Sequence, residues 1–197
     1  MTSAETVPGV VPPRPLRADA RRNFEKLIAA ARLAFTEDGA SASLDNIARR
    51  AHVGIGTLYR HFPTRQALLE AVYVDEVEAL CRSAVDLAGQ PPWDALVAWL
   101  HRFVGYVTTK EALAEELFAY LDRDADVFRN CRTAFYAAGE PLLVRAQEAR
   151  VVRGDTNISE VVQLVVGIAK IPSAEPDQIE RILDMALDGL RYQPDPA

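Results

Sequence analysis

Between Gly54 and Arg65 the chain reads GIGTLYRHFPTR, gathering a hydroxyl at Thr57, a phenol at Tyr59, a guanidinium at Arg60 and an imidazole at His61. A second hydroxyl and a second guanidinium follow at Thr64 and Arg65. All of these groups donate hydrogen bonds and two carry permanent positive charge, so they suit recognition of an anionic, acceptor-rich partner. Catalysis has no comparable signal. The chain contains no phosphate loop, dinucleotide fingerprint, zinc-ligand spacing or nucleophile elbow, and its Ser, His and acidic residues form no recognisable local arrangement. We therefore assign no catalytic residue and no metal ligand, and expect no cofactor.

Helical periodicity decides where the donors point. At about 100° per residue, Leu58 and Phe62 fall on one side of a helix beginning at Ile55, with Ile55 nearby, and Gly56, Thr57 and Arg60 cluster opposite. Tyr59 and His61 lie on the two flanks, roughly 160° apart, where side chains reach phosphates on either side of a groove. Pro63 halts this helix, and Thr64 caps a fourth helix that runs to about Leu87. Arg65 then sits beside free backbone N–H groups that favour phosphate. Upstream, Ser43 caps a short helix over 44–51, with Asp45 in its first turn, and His52, Val53 and Gly54 make the turn. Before that, Phe24, Leu27, Ile28, Ala31, Ala34 and Phe35 mark an amphipathic helix ending near Gly39. A supporting helix followed by two short helices across a tight turn is a helix-turn-helix, whose second helix fits the major groove of DNA.

Charge is distributed to match. Ten Arg and Lys stand against five Asp and Glu between Arg14 and Arg65, although the whole chain carries 22 against 28 and a net charge of −6. A basic head on an acidic body attracts an anion at one end and repels it elsewhere.

Past Gly89 the pattern stays helical. We expect helices over 93–109, 111–121, 125 to about 152 with a kink or restart at Pro141, 160–171 capped by Ser159, and 177–191. Residues 1–16 read as a disordered Pro-containing arm without the features of a signal peptide, and 193–197 as a tail. No apolar run approaches the length of a membrane span, which predicts a cytoplasmic protein without a membrane partner. Cys81 and Cys131 lack metal or redox spacing and read as reduced, packed thiols.

The run SLDNIARRAHVGIGTLYRHFPTRQAL resembles the N-terminal signature of the tetracycline-repressor (TetR) family over about residues 20–70. The resemblance implies an all-α fold: a three-helix DNA-binding domain over 17–64 and a helical ligand-binding and dimerisation domain over 65–192. It implies double-stranded DNA as partner, with Ser43, Gly54, Ile55, Gly56, Thr57, Tyr59, Arg60, His61, Thr64 and Arg65 forming the DNA-binding segment. A homodimer is implied too, with Val161, Leu164, Val165, Ile168, Leu183, Leu187 and Leu190 at its interface. A small, mostly apolar effector would be taken by Trp99, Phe103, Tyr106, Phe118, Phe135 and Tyr136. Gly54 and Ile55 depart from the Ser and polar residue usual in the turn, so base preference does not transfer. The alternative is a ligand-binding or protein-interaction module of the same fold that does not read DNA.

Overall fold

The computed structural model describes residues 18–122, 125–172 and 174–192, so the expected arm over 1–16 and tail over 193–197 lie outside the described residues. The first helix, α1 (Ala18–Asp38), buries Leu27, Ile28, Ala31, Ala34 and Phe35, the stripe its periodicity predicts. It ends at Gly39, whose φ of +53° is left-handed and suits a residue without Cβ, and a 3-10 turn over Gly39–Ser41 follows. Ser43 accepts a hydrogen bond from the Asn46 N–H and caps α2 (Leu44–Arg50), which buries Ile47 and Ala48. Extended backbone at Gly54 begins α3 (Ile55–His61).

The α2–α3 turn contains a feature that glycine counting misses. The left-handed residue is His52, at φ +55°, rather than Gly54. The His52 N–H donates to the Arg49 carbonyl at 3.1 Å and the Val53 N–H to the Ala48 carbonyl at 3.0 Å, satisfying carbonyls that the end of α2 leaves open. These bonds and the packing of Leu58 and Phe62 hold a conformation that costs a non-glycine residue about 1 kcal/mol.

The described residues divide into two compact units, and α4 (Arg65–Leu87), α5 (Pro92–Leu117) and α6 (Asp126–Glu148) contribute to both. Among the described residues, the first unit comprises those up to Val77 together with those between Thr109 and Cys131. Thr64 caps α4 by accepting from the Ala67 N–H at 3.0 Å, and Leu68, Leu69, Val72 and Tyr73 are buried along it. Arg32 on α1 forms ion pairs with Asp75 and Glu76 on α4, while Tyr73 and Phe118 both pack on Phe128 at centroid distances of 5.2 Å.

The second unit comprises Glu78–Thr108 and the described residues from Arg132 onward. Its core is centred on Trp99, whose indole N–H donates to the Leu80 carbonyl at 3.3 Å. Gly139 makes this packing possible, because a Cβ there would fall 2.4 Å from Cη2 of Trp99. Two helices, α7 (Ile158–Ala169) and α8 (Pro176–Asp188), complete the unit, and an isolated antiparallel bridge joins Val152 to Arg191.

Three expected boundaries change. The helices over 93–109 and 111–121 are one helix, α5, which runs on through Thr108 and Thr109 and ends at Leu117. Pro141 lies within a single α6, where buried Leu142, Leu143 and Ala146 offset the lost backbone bond. Asn157, rather than Ser159, caps α7, through a reciprocal box with Glu160. Ser159 lies inside the first turn and accepts a hydrogen bond from Gln163 instead.

Candidate nucleic-acid interface

Packing fixes the rotation of α3 about its own axis. Leu58 and Phe62 are buried, and Phe24 of α1 lies against Phe62 with ring centroids 5.3 Å apart. The inward side chains therefore clamp α3 to its support, leaving Gly56, Tyr59 and Arg60 exposed, with Thr57 half-buried beside them. Ile55 is half-buried at the start of the helix. Tyr59 is 49% exposed, a large value for an aromatic ring with nothing to gain from water on its apolar faces. His61 is half-buried and meets Phe24 edge-on at 6.2 Å, so one face of the imidazole packs within the head.

The polar groups have distinct local partners. Arg60 folds along its own helix, its Nε–H donating to the Gly56 carbonyl at 3.2 Å and Nη2 to the Thr57 hydroxyl at 2.9 Å. The hydroxyls of Ser43 and Thr64 serve as helix caps. Arg65 faces inward: it pairs with Glu116 on α5, donates to the carbonyls of Ala42 and Gly39, and lies over the Phe35 ring at 5.1 Å. On α2, Asn46 accepts from both Arg49 and Arg50, and Arg50 pairs with Glu37 at 2.5 Å. Arg49 is exposed near the turn, a position that the motif reading did not single out although it was counted in the basic excess.

Gly56 has no internal reason to be glycine. Its φ is not left-handed, and a Cβ there would meet nothing within 4 Å. Glycine in a helix is less stable than alanine by about 0.5–1 kcal/mol, so this exposed gap weakens α3 without serving its packing.

The head and the body both match known families. Residues 27–72 match the model described as bacterial regulatory proteins of the tetR family. Residues 91–192, more than half of the chain, match a transcriptional regulator C-terminal domain described as SbtR-like. The chain belongs to the TetR family of transcriptional regulators. It is 42% identical to the TetR transcriptional regulator SCO0520 from Streptomyces coelicolor, covering 87% of this chain and 99% of that one with a TM-score of 0.77. A TetR regulator from Mycobacterium vanbaalenii is 36% identical, with 90% and 100% covered and a TM-score of 0.76. The Transposon Tn10 TetC protein of Escherichia coli is 30% identical over 91 residues, which span 44% of this chain and 45% of that protein.

TetR-family chains are regulators rather than enzymes. Burial pushes the Cys81 thiol up to about 11, with Glu78 adding to the shift, so it is not a poised nucleophile. Among the described residues no group of three or more His, Cys, Asp or Glu is placed to hold a metal, and no helix is long and apolar enough to cross a membrane.

The structure sorts the residues expected for ligand and dimer. Trp99, Phe103 and Phe135 stack in the second unit at centroid separations of 4.4–6.2 Å, with Tyr106 and Tyr136 half-buried beside them. Phe118 packs on Phe128 in the first unit. Of the seven expected interface residues, Val161, Val165, Ile168, Leu183, Leu187 and Leu190 are buried in the core of the second unit. Leu164 is 39% exposed, and Met185, which the sequence reading passed over, is 67% exposed.

Proposed function

We propose that this TetR-family chain is a homodimeric one-component repressor that binds a palindromic operator and is released by a small, mostly apolar effector. The observation that carries the reading is the solvent face of α3. Gly56, Thr57, Tyr59 and Arg60 occupy it while Leu58 and Phe62 anchor the opposite face. A recognition helix must be held rigidly from behind and low enough in front to enter a groove about 12 Å wide, and α3 meets both conditions.

Tyr59 and His61 supply contacts to the phosphates flanking the groove, with Arg49 of α2 a further phosphate partner, as the first helix of such motifs crosses the backbone. Ser43 and Thr64 contribute chiefly as caps. Arg65 contributes by fixing the entry of α4, since its guanidinium is already committed inside the head. One short helix reads few bases, so two copies about one DNA turn apart are needed for specificity. Exposed Leu164 and Met185 are apolar surface suited to that pairing.

An effector acts only through a difference in its affinity for the two states, so it must bind the DNA-free form more tightly. The aromatic group around Phe103 and Phe135, bordered by Tyr106 and Tyr136, suits a ligand that is mostly apolar with a polar handle.

The test is selection of fragments from the source genome by the purified chain, followed by anisotropy on the enriched DNA at several salt concentrations. Enrichment of one palindrome, with affinity falling steeply as salt rises, is the expected result. A folded dimer that enriches no sequence would favour the interaction-module alternative.

A further inference from the structure

We propose that α3 reads one guanine in each half-site, using the end fork of the Arg60 guanidinium, with Thr57 as the residue that positions it. This rests on the operator-binding reading above and adds the base identity that the family resemblance leaves open.

Three observations converge. First, Arg60 lies on the face opposite Leu58 and Phe62, the face that meets the groove floor, whereas Tyr59 and His61 occupy the flanks. Second, its guanidinium is held rather than loose. The Nε–Nη2 edge is bound by the Gly56 carbonyl at 3.2 Å and the Thr57 hydroxyl at 2.9 Å. A guanidinium is planar with five N–H donors, so binding that edge leaves the fork made by Nη1 and the second hydrogen of Nη2 turned away from it. Third, one helical turn before Arg60 stands Gly56, where nothing in the protein would meet a Cβ. The helix surface is lowest there, so the backbone can descend toward the bases.

The chemistry of the fork then selects the base. Two parallel donors match two adjacent acceptors, and in the major groove guanine offers that pair through O6 and N7. Adenine offers N7 beside a donor, so it accepts one of the two bonds and opposes the other. A phosphate also accepts a fork, but phosphates line the flanks of the groove, whereas Arg60 lies on the face opposite Leu58 and Phe62. Thr57 restricts the arginine before binding, which lowers the ordering cost that a long free side chain would pay at a base edge.

The experiment is binding selection from a randomised double-stranded library with the full chain and with Arg60→Ala, Arg60→Lys and Thr57→Val. Arg60 is exposed, so its variants should retain the melting temperature of the parent. The expected result is a parent palindrome with a required guanine in each half. Replacing that guanine should weaken binding by roughly 5- to 150-fold, Arg60→Ala should lose the preference at that position alone, and Arg60→Lys, which can still donate to O6 and N7, should keep the guanine at lower affinity. Thr57→Val, which retains shape and drops the hydroxyl, should lower the same preference without altering the others. Replacing that guanine with 7-deazaguanine should weaken the parent and leave Arg60→Ala unaffected.

If Arg60→Ala retains every base preference, or loses affinity equally on all sequences with a salt slope smaller by about one, Arg60 does not read a base and the guanine assignment fails. An unchanged preference in Thr57→Val removes Thr57 as the positioning residue. A parent chain that enriches no sequence overturns the operator reading itself, which is a different result from a palindrome whose preferences ignore Arg60.

Discussion

The Arg65 guanidinium, in the first turn of α4, is ion-paired with the Glu116 carboxylate near the end of α5, with 2.6 Å between Nε and Oε1. Only 21% and 10% of the two side chains are exposed, and the same guanidinium bonds the Ala42 carbonyl in the loop before α2. Arg65 thus joins three separate stretches of the first unit. Glu116→Gln should lower stability by about 1–3 kcal/mol, because a charged hydrogen bond is lost and a shielded cation is left underpaired. Urea unfolding checks this; an unchanged midpoint would show that the Ala42 carbonyl and the Phe35 ring hold Arg65 without Glu116.

Gly56→Ala should separate stability from function. No atom lies within 4 Å of the added methyl, so α3 gains helix propensity and the fold should gain up to about 1 kcal/mol. Operator affinity should fall nonetheless, because the methyl stands where the backbone must approach DNA. Paired thermal melts and anisotropy titrations measure both; a variant with unaltered affinity would show that the gap at Gly56 has no part in docking.

Exposed and buried apolar residues of α7 and α8 should respond differently to charge. Leu164→Glu combined with Met185→Glu should yield a folded monomer, as both side chains face out of the subunit. Leu187→Glu should unfold the chain instead, costing about 4 kcal/mol or more, since Leu187 is 2% exposed. Light scattering and circular dichroism distinguish the cases. A double variant that remains dimeric would place the interface elsewhere.

At Gly139 the effect of alanine is opposite to that at Gly56. A Cβ there would lie 2.4 Å from Trp99 Cη2 and 3.0 Å from Ile158 Cδ1, so the indole must move within a packed core. Gly139→Ala should therefore destabilise by about 1–3 kcal/mol and alter the tryptophan fluorescence. Retention of both stability and emission would mean that the core around Trp99 yields easily.

Burial, reinforced by the neighbouring Asp75 carboxylate, holds the Glu76 carboxyl above a glutamate's ordinary value, and the Arg32 charge only partly opposes the shift. The folded chain then binds more protons at this site than the unfolded chain between the unfolded and folded values. The site's contribution to stability is accordingly largest at acid pH and falls as pH rises through that window. Glu76→Gln should gain on the parent as pH increases from the ordinary glutamate range toward neutrality. Urea midpoints of both proteins across that range provide the check, and a parent advantage that grew with pH would reverse the assigned sign.

The sequence by itself determined the head. The stripe of Leu27, Ala31 and Ala34, the Ser43 and Thr64 caps, and the rotation that turns Leu58 and Phe62 inward all depend on residues a few positions apart, and short-range chemistry specifies them. The unbroken α5 was less legible, because Thr108 and Thr109 offer the cap that a new helix at Lys110 would use. Tertiary structure decided the rest, because periodicity identifies an apolar face without naming what covers it. Leu183 and Leu187 show the same stripe whether they meet a second subunit or their own core, and only the packed chain reveals the core. Arg65 likewise offers its donors equally well to a phosphate or a carboxylate. Its partner Glu116 lies 51 positions along the chain, so only the fold could bring the pair together. His52 adopts the left-handed turn for the same reason: the bonds and packing around it outweigh a local preference that favours glycine.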